Sequence, residues 1–190
     1  MTWQLLALSD MWELPVSDQL ISYADAYRAS SATLCQKMLD DPPRCTWPNA
    51  AVVLMLAAHA VELFLKGALY KRKPDFKAWD HGHNLDSLGA AYRSQFQDSR
   101  YDWEIPFTSQ LSPEEWIAEM MKVAPQFTEE ELRAHRGSSR IPPPSILHRY
   151  PVDRTGNDWK GLHGFEPGSF MLLLAQLERD FNRIKAHIDS

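Results

Sequence analysis

The sequence predicts an all-α fold. Four long segments carry apolar residues at three- and four-residue steps, the signature of one buried helical face. Proline and capping residues punctuate these segments where helices start and stop. Thirteen prolines against only eight glycines add stiff connections between them.

Residues 1–15 read as an apolar arm, with Trp3, Leu5, Leu6, Leu8, Trp12 and Leu14 ahead of Pro15. Such a segment packs onto the rest of the fold or onto a partner. The first long helix is expected from near Ser17, read as its N-cap, to about Leu39. Leu20, Ala24, Tyr27, Ser31, Leu34 and Met38 build its buried stripe, and Asp40-Asp41-Pro42-Pro43 stops it. Thr46-Trp47-Pro48 opens a second helix that runs to about Arg72, with proline suited to the first turn. Apolar residues cover nearly its whole circumference, as in the most enclosed helix of a bundle. Lys71, Arg72 and Lys73 complement the dipole at its end, and Pro74 closes it.

Asn84 caps a third helix carrying Leu85, Leu88, Ala91, Tyr92 and Phe96. Residues 97–111 read as irregular. Ser112-Pro113-Glu114-Glu115 and Thr128-Glu129-Glu130-Glu131 are starts of two shorter helices. Gly137 to Pro144 reads as a loop, and Ile146 to Asp153 as at most a short extended segment before a turn. The last helix begins near Pro167, with Phe170, Leu173, Leu174, Leu177, Phe181, Ile184 and Ile188 on one face. The organisation is thus four principal helices and an inserted, partly helical segment at about 97–144, in a single domain spanning 1–190.

The totals exclude some functions and leave others open. A chain of 190 residues buries roughly 70% of its unfolded surface, so its core needs no metal or disulfide. The net charge of −5 gives no overall electrostatic footprint for nucleic acid. Locally, five arginines lie between Arg133 and Arg154 with His135 and His148, against the single acid Asp153. That stretch is either a solvated basic loop or a small RNA or phosphate site. Cys35 and Cys45 form neither a CxxC pair nor a disulfide framework, which suits a reducing cytoplasm. No signal peptide is expected, because the start of the chain lacks a basic region and a long apolar run. Ala50 to Leu69 is the most apolar stretch, but Glu62 and Lys66 interrupt it. A span needs about 20 mostly apolar residues, so this one reads as a buried helix and no membrane partner is expected.

Three features can carry chemistry. His59, Glu62 and Lys66 fall at i, i+3 and i+7 on the second helix, one narrow polar stripe on a face built for burial. The stripe is either a structural polar network or the floor of a site. The second feature is Asp80-His81-Gly82-His83-Asn84-Leu85, where Gly82 turns the chain and an antiparallel helix pair brings the loop toward Lys66. His-x-His occurs in metal sites, but no further His or Cys has ligand-like spacing, so no metal or other cofactor is expected. The third is His148-Arg149-Tyr150-Pro151, in which Arg149 can hold a phosphate or a carboxylate and Tyr150 can stack. Neither a glycine-rich phosphate loop nor a G-x-S-x-G motif is present.

Together these segments resemble the HEPN family of helical-bundle domains, associated with nucleotide or RNA transactions in bacterial defence and toxin systems. The carriers are Ala58 to Lys66, with its E-L-x-L-K ending, then Gly82-His83-Asn84-Leu85-Asp86-Ser87-Leu88, then Arg149-Tyr150-Pro151. The resemblance covers roughly 17–96 and 145–188. It implies a four-helix bundle, often a homodimer, and in active members a metal-independent ribonuclease. Those members carry Arg and His separated by four to six residues. Here Arg183 and His187 are separated by three, Arg140 and His148 by seven, and Arg154 and His163 by eight. The resemblance therefore implies a nucleotide- or RNA-related binding module that is not itself a nuclease, with His59, Glu62, Asn84 and Tyr150 as binding residues. The alternatives are an endoribonuclease with a non-standard site built from His83, Lys66 and Arg149, and a protein-interaction module.

Overall fold

The computed structural model describes residues 9–108, 113–123, 125–138, 148–149, 152 and 164–189. Over these the fold is all-α, without a strand. The helices are α1 (Ser9–Trp12), α2 (Val16–Asp40), α3 (Trp47–Arg72), α4 (Leu85–Gln95), α5 (Pro113–Val123), α6 (Glu129–Ser138) and α7 (Pro167–Ile188). Short 3-10 turns at Pro42–Arg44, Ala78–His81 and Ser99–Tyr101 join the long helices. The arm over residues 1–8, the polyproline stretch and Tyr150 lie outside the described residues, as does most of Ile146 to Asp153.

α3 is the axis of the fold. It packs on α2, α4 and α7, and α2 also packs on α7. Every residue from Ala60 to Leu69 is buried, as an all-round apolar sequence requires. By length and composition α3 could cross a membrane, but 72% of its most apolar window is buried inside the protein. α2 and α3 meet so closely at Gly67 that a Cβ there would stand 2.7 Å from Ile21 Cγ1 and 2.9 Å from the Ser17 carbonyl oxygen. Ser31 Oγ donates to the Val53 carbonyl at 2.9 Å, satisfying a buried hydroxyl across the same interface.

Phe64 of α3 and Phe181 of α7 lie parallel with centroids 3.9 Å apart, and Trp103 meets both edge-on at 5.9 and 5.8 Å. Trp103 and fully buried Ile105 fasten residues 102–108 to the core. The start of the stretch grouped by sequence with the insertion thus closes over the principal helices. α5 and α6 pack on one another, burying Ile117 and Leu132.

Two boundaries differ from expectation. α2 begins at Val16, with Pro15 as its N-cap and Ser17 buried inside the first turn. Pro15 is already extended, at φ −53° and ψ 147°, and its carbonyl accepts from Asp18 and Gln19 N–H, so the serine is not needed as a cap. α6 runs through Gly137 to Ser138. Its start follows the sequence: Thr128 Oγ1 accepts from Glu131 N–H at 3.2 Å, and Glu131 Oε2 accepts from Thr128 N–H at 2.8 Å.

Candidate functional site

The polar stripe of α3 is buried where it is most charged. Glu62 is 1% and Lys66 2% exposed. One helical turn apart, they pair directly, Lys66 Nζ donating to Glu62 Oε1 at 2.8 Å. The ammonium also donates to the Gly82 carbonyl at 2.8 Å, and it lies 4.8 Å from the centre of the Trp79 ring. Two hydrogen bonds and a ring face occupy the Lys66 charge, which explains how the core tolerates it. Gly82 adopts φ 53° and ψ −123°, a conformation suited to glycine. That bend turns its carbonyl to Lys66 and delivers His83 to the other side of Glu62.

His83 Nδ1 stands 3.1 and 3.0 Å from the two Glu62 oxygens. An ionised carboxylate only accepts, so Nδ1 carries the hydrogen and Nε2 is the acceptor of the neutral ring. The His83 side chain is 43% exposed, so the dyad reaches the surface through it. Burial pushes the Glu62 carboxyl up. His59, Lys66 and His83 around it outweigh burial and hold it at about 2, well below the ordinary 4.5.

His59 approaches from the opposite side. Its Nδ1 is 3.6 Å from Glu62 Oε2, beyond hydrogen-bond distance, and it is buried with no hydrogen-bond partner among the described residues. Its ring meets Tyr27 edge-on at 4.7 Å. Asn84 is not aimed at the node: its side-chain oxygen accepts from Ser87 N–H at 3.0 Å and caps α4. His81 braces the same corner, stacked on Phe76 at 5.2 Å and hydrogen-bonded to Ser87 Oγ.

Of the residues expected from sequence, the structure brings His59, Glu62, Lys66 and His83 together. Arg149 is exposed and elsewhere. Its neighbour His148 meets Trp47 edge-on at 6.3 Å, at the amino end of α3. Nineteen residues of helix, roughly 28 Å at 1.5 Å each, separate Trp47 from Lys66. Glu62 forms its ion pairs with Lys66, His59 and His83, and none with Arg149 among the described residues.

Sequence reasoning missed Trp79, which is 64% exposed beside Lys66. A lone indole in the polar run Lys77-Ala78-Trp79-Asp80 was the available signal. Chemically the cluster offers a fixed imidazole, a buried ion pair that holds it, and an exposed aromatic face. No group of His, Cys, Asp and Glu suited to a metal occurs among the described residues. No family model, curated protein or solved structure matches this chain.

Proposed function

We propose that the chain is a HEPN-like binding module for a nucleotide or RNA, and that His83 and Trp79 present its ligand face. The carrying observation is that Lys66 holds both the Gly82–His83 bend and the Trp79 ring. An exposed indole offers base stacking worth about 1–3 kcal/mol per base, and the neighbouring imidazole offers a hydrogen bond. The binding reading is favoured over catalysis because the cations are spent or remote. Lys66 is buried against Glu62 and the Gly82 carbonyl, and Arg149 lies toward the far end of α3. Free thiols at Cys35 and Cys45 accord with action in the cytoplasm, and the HEPN resemblance brings a homodimer with it.

The test is thermal denaturation with nucleotides and short RNAs. A ligand at a hundred times its Kd stabilises by about 2.7 kcal/mol, or roughly 5–10 °C for a chain of this length. His83→Ala and Trp79→Ala remove the shift on this reading. A melting temperature unchanged by every nucleotide and RNA sinks it.

One observation favours a second reading, a metal-independent endoribonuclease. Glu62 fixes His83 with Nε2 as its accepting face, the arrangement of a general base. His83 would take the proton of a ribose 2′-hydroxyl as that oxygen attacks the adjacent phosphorus; the P–O5′ bond breaks, leaving a 2′,3′-cyclic phosphate, and the departing 5′-oxygen takes a proton from water. This reading expects RNA cleavage in excess chelator that vanishes in a folded His83→Ala protein. No cleavage by the folded wild type rejects it.

A further inference from the structure

A cavity of about 340 Å³ opens beside the carboxyl ends of α3 and α7 and the Ser99–Tyr101 turn. Its lining includes Lys71, Arg72, Arg100 and His187, together with Phe96 and Tyr101, and it contains no carboxylate. In a chain of net charge −5, such a concentration of basic groups runs against the whole.

The two guanidiniums are held by neighbouring rings. Arg72 lies over Phe96 at 6.0 Å and Arg100 over Tyr101 at 5.6 Å. The rings meet edge-on at 5.0 Å, and the Tyr101 hydroxyl is anchored by donating to the His187 carbonyl at 3.1 Å. Stacked guanidiniums lose less freedom on gripping a planar or tetrahedral oxyanion than free ones do.

The nearby acids leave this capacity in place. Lys71 pairs with Asp18 and Asp189, and Arg100 with Asp98, but none of those carboxylates lines the cavity. The Arg100–Asp98 pair is about half exposed on both sides, and such pairs contribute at most about 1 kcal/mol. The Arg72 side chain donates no hydrogen bond to any described residue. The carboxyl ends of α3 and α7 each oppose an anion with only about half a charge, and the whole charges of Arg72 and Arg100 together exceed both.

We propose that this cavity binds a phosphate group, free or carried as an ester by a small molecule, clasped between Arg72 and Arg100 with Lys71 beside it. Its volume is at the low end of small-ligand sites. Its lining includes none of Glu62, Lys66, Trp79 and His83.

Calorimetric titration at low salt with inorganic phosphate and with glycerol phosphate, an ester without a base to stack on Trp79, tests this. Both should bind the wild type, and the double substitution R72Q/R100Q should weaken each at least tenfold. R72K/R100K should recover only part of the affinity, because lysine keeps the charge and loses the fork. Both arginines are exposed, so unchanged melting temperatures for the variants are expected and separate lost binding from lost folding. Binding of phosphate alone identifies the free ion as the source, and binding of glycerol phosphate alone identifies an ester. Absence of binding by both compounds overturns the proposal, as does binding that survives R72Q/R100Q.

Discussion

Glu62 receives His83 and Lys66 at once: His83 Nδ1 lies 3.0 Å from Oε2, and Lys66 Nζ lies 2.8 Å from Oε1. One carboxylate therefore holds both the buried cation and the half-exposed imidazole. Its removal has consequences for folding as well as for the surface.

Glu62→Gln leaves the Lys66 ammonium buried without its counter-charge. The expected loss is about 3–5 kcal/mol, read from urea denaturation. The double substitution Glu62→Leu with Lys66→Met removes both charges and should lose far less. If the single variant is as stable as wild type, the pair is not buried as described.

Acid should act through the same group. The Glu62 carboxyl is lowered from the ordinary 4.5 to about 2, so the unfolded chain takes up its proton more readily than the folded one. Its stabilisation is complete above about pH 4.5 and is lost as pH falls toward 2. About 3 kcal/mol is at stake at 1.36 kcal/mol per unit. Stability measured between pH 5 and 2 should fall less steeply in Glu62→Gln, and parallel curves would count against this account.

Gly67→Ala sets two effects against each other. Helix propensity favours alanine by about 1 kcal/mol. The new Cβ meets the Ser17 carbonyl oxygen at 2.9 Å, and that backbone atom cannot step aside. Overpacking costs about 1–3 kcal/mol, so net destabilisation is expected. A rise in melting temperature would show that α2 and α3 do not cross so closely.

Asn84→Ala removes the α4 cap and should cost about 1 kcal/mol. Asn84→Ser, which can still accept from Ser87 N–H, should recover most of it. Equal losses in both would place the contribution of Asn84 outside the cap.

The long helices were legible because burial imposes a period. On α7, Leu174, Leu177, Phe181 and Ile184 are buried as their spacing predicts. On α2, Leu20, Ala24, Ser31 and Met38 are buried as the stripe predicts, and one position differs: Cys35 is fully buried, while Leu34 is 36% exposed. Ser31 and Met38 flank Cys35 at four and three residues, so Leu34 was drawn in by its apolarity alone. Asp180, outside that apolar series, is nevertheless only 8% exposed, paired with Arg183 and Gln176. Partners of that kind carry no sequence period.

The candidate site divides the same way. Glu62 and Lys66 stood out because charge on an apolar helix demands a partner. The turn at Gly82 predicts the loop near Lys66, and the contact of His83 with Glu62 is an addition of the structure. Trp79 carries only a weak signal, because an aromatic in a loop looks the same whether it packs or faces solvent. Arg149 was joined to the cluster by chemistry alone, and the length of α3 separates them.

The bond from Lys66 to the Gly82 carbonyl gives a surface bend the cooperativity of the interior. Recognition loops commonly belong to the least stable parts of a protein and open independently of the rest. The Gly82 bend is suspended from the central helix, so freeing it strips a hydrogen bond from a lysine buried in the core. Its amide hydrogens should exchange with deuterium at nearly the rate of α3 itself. On the binding reading proposed above, a ligand meeting His83 would find that surface ordered in advance, with little entropy left to lose.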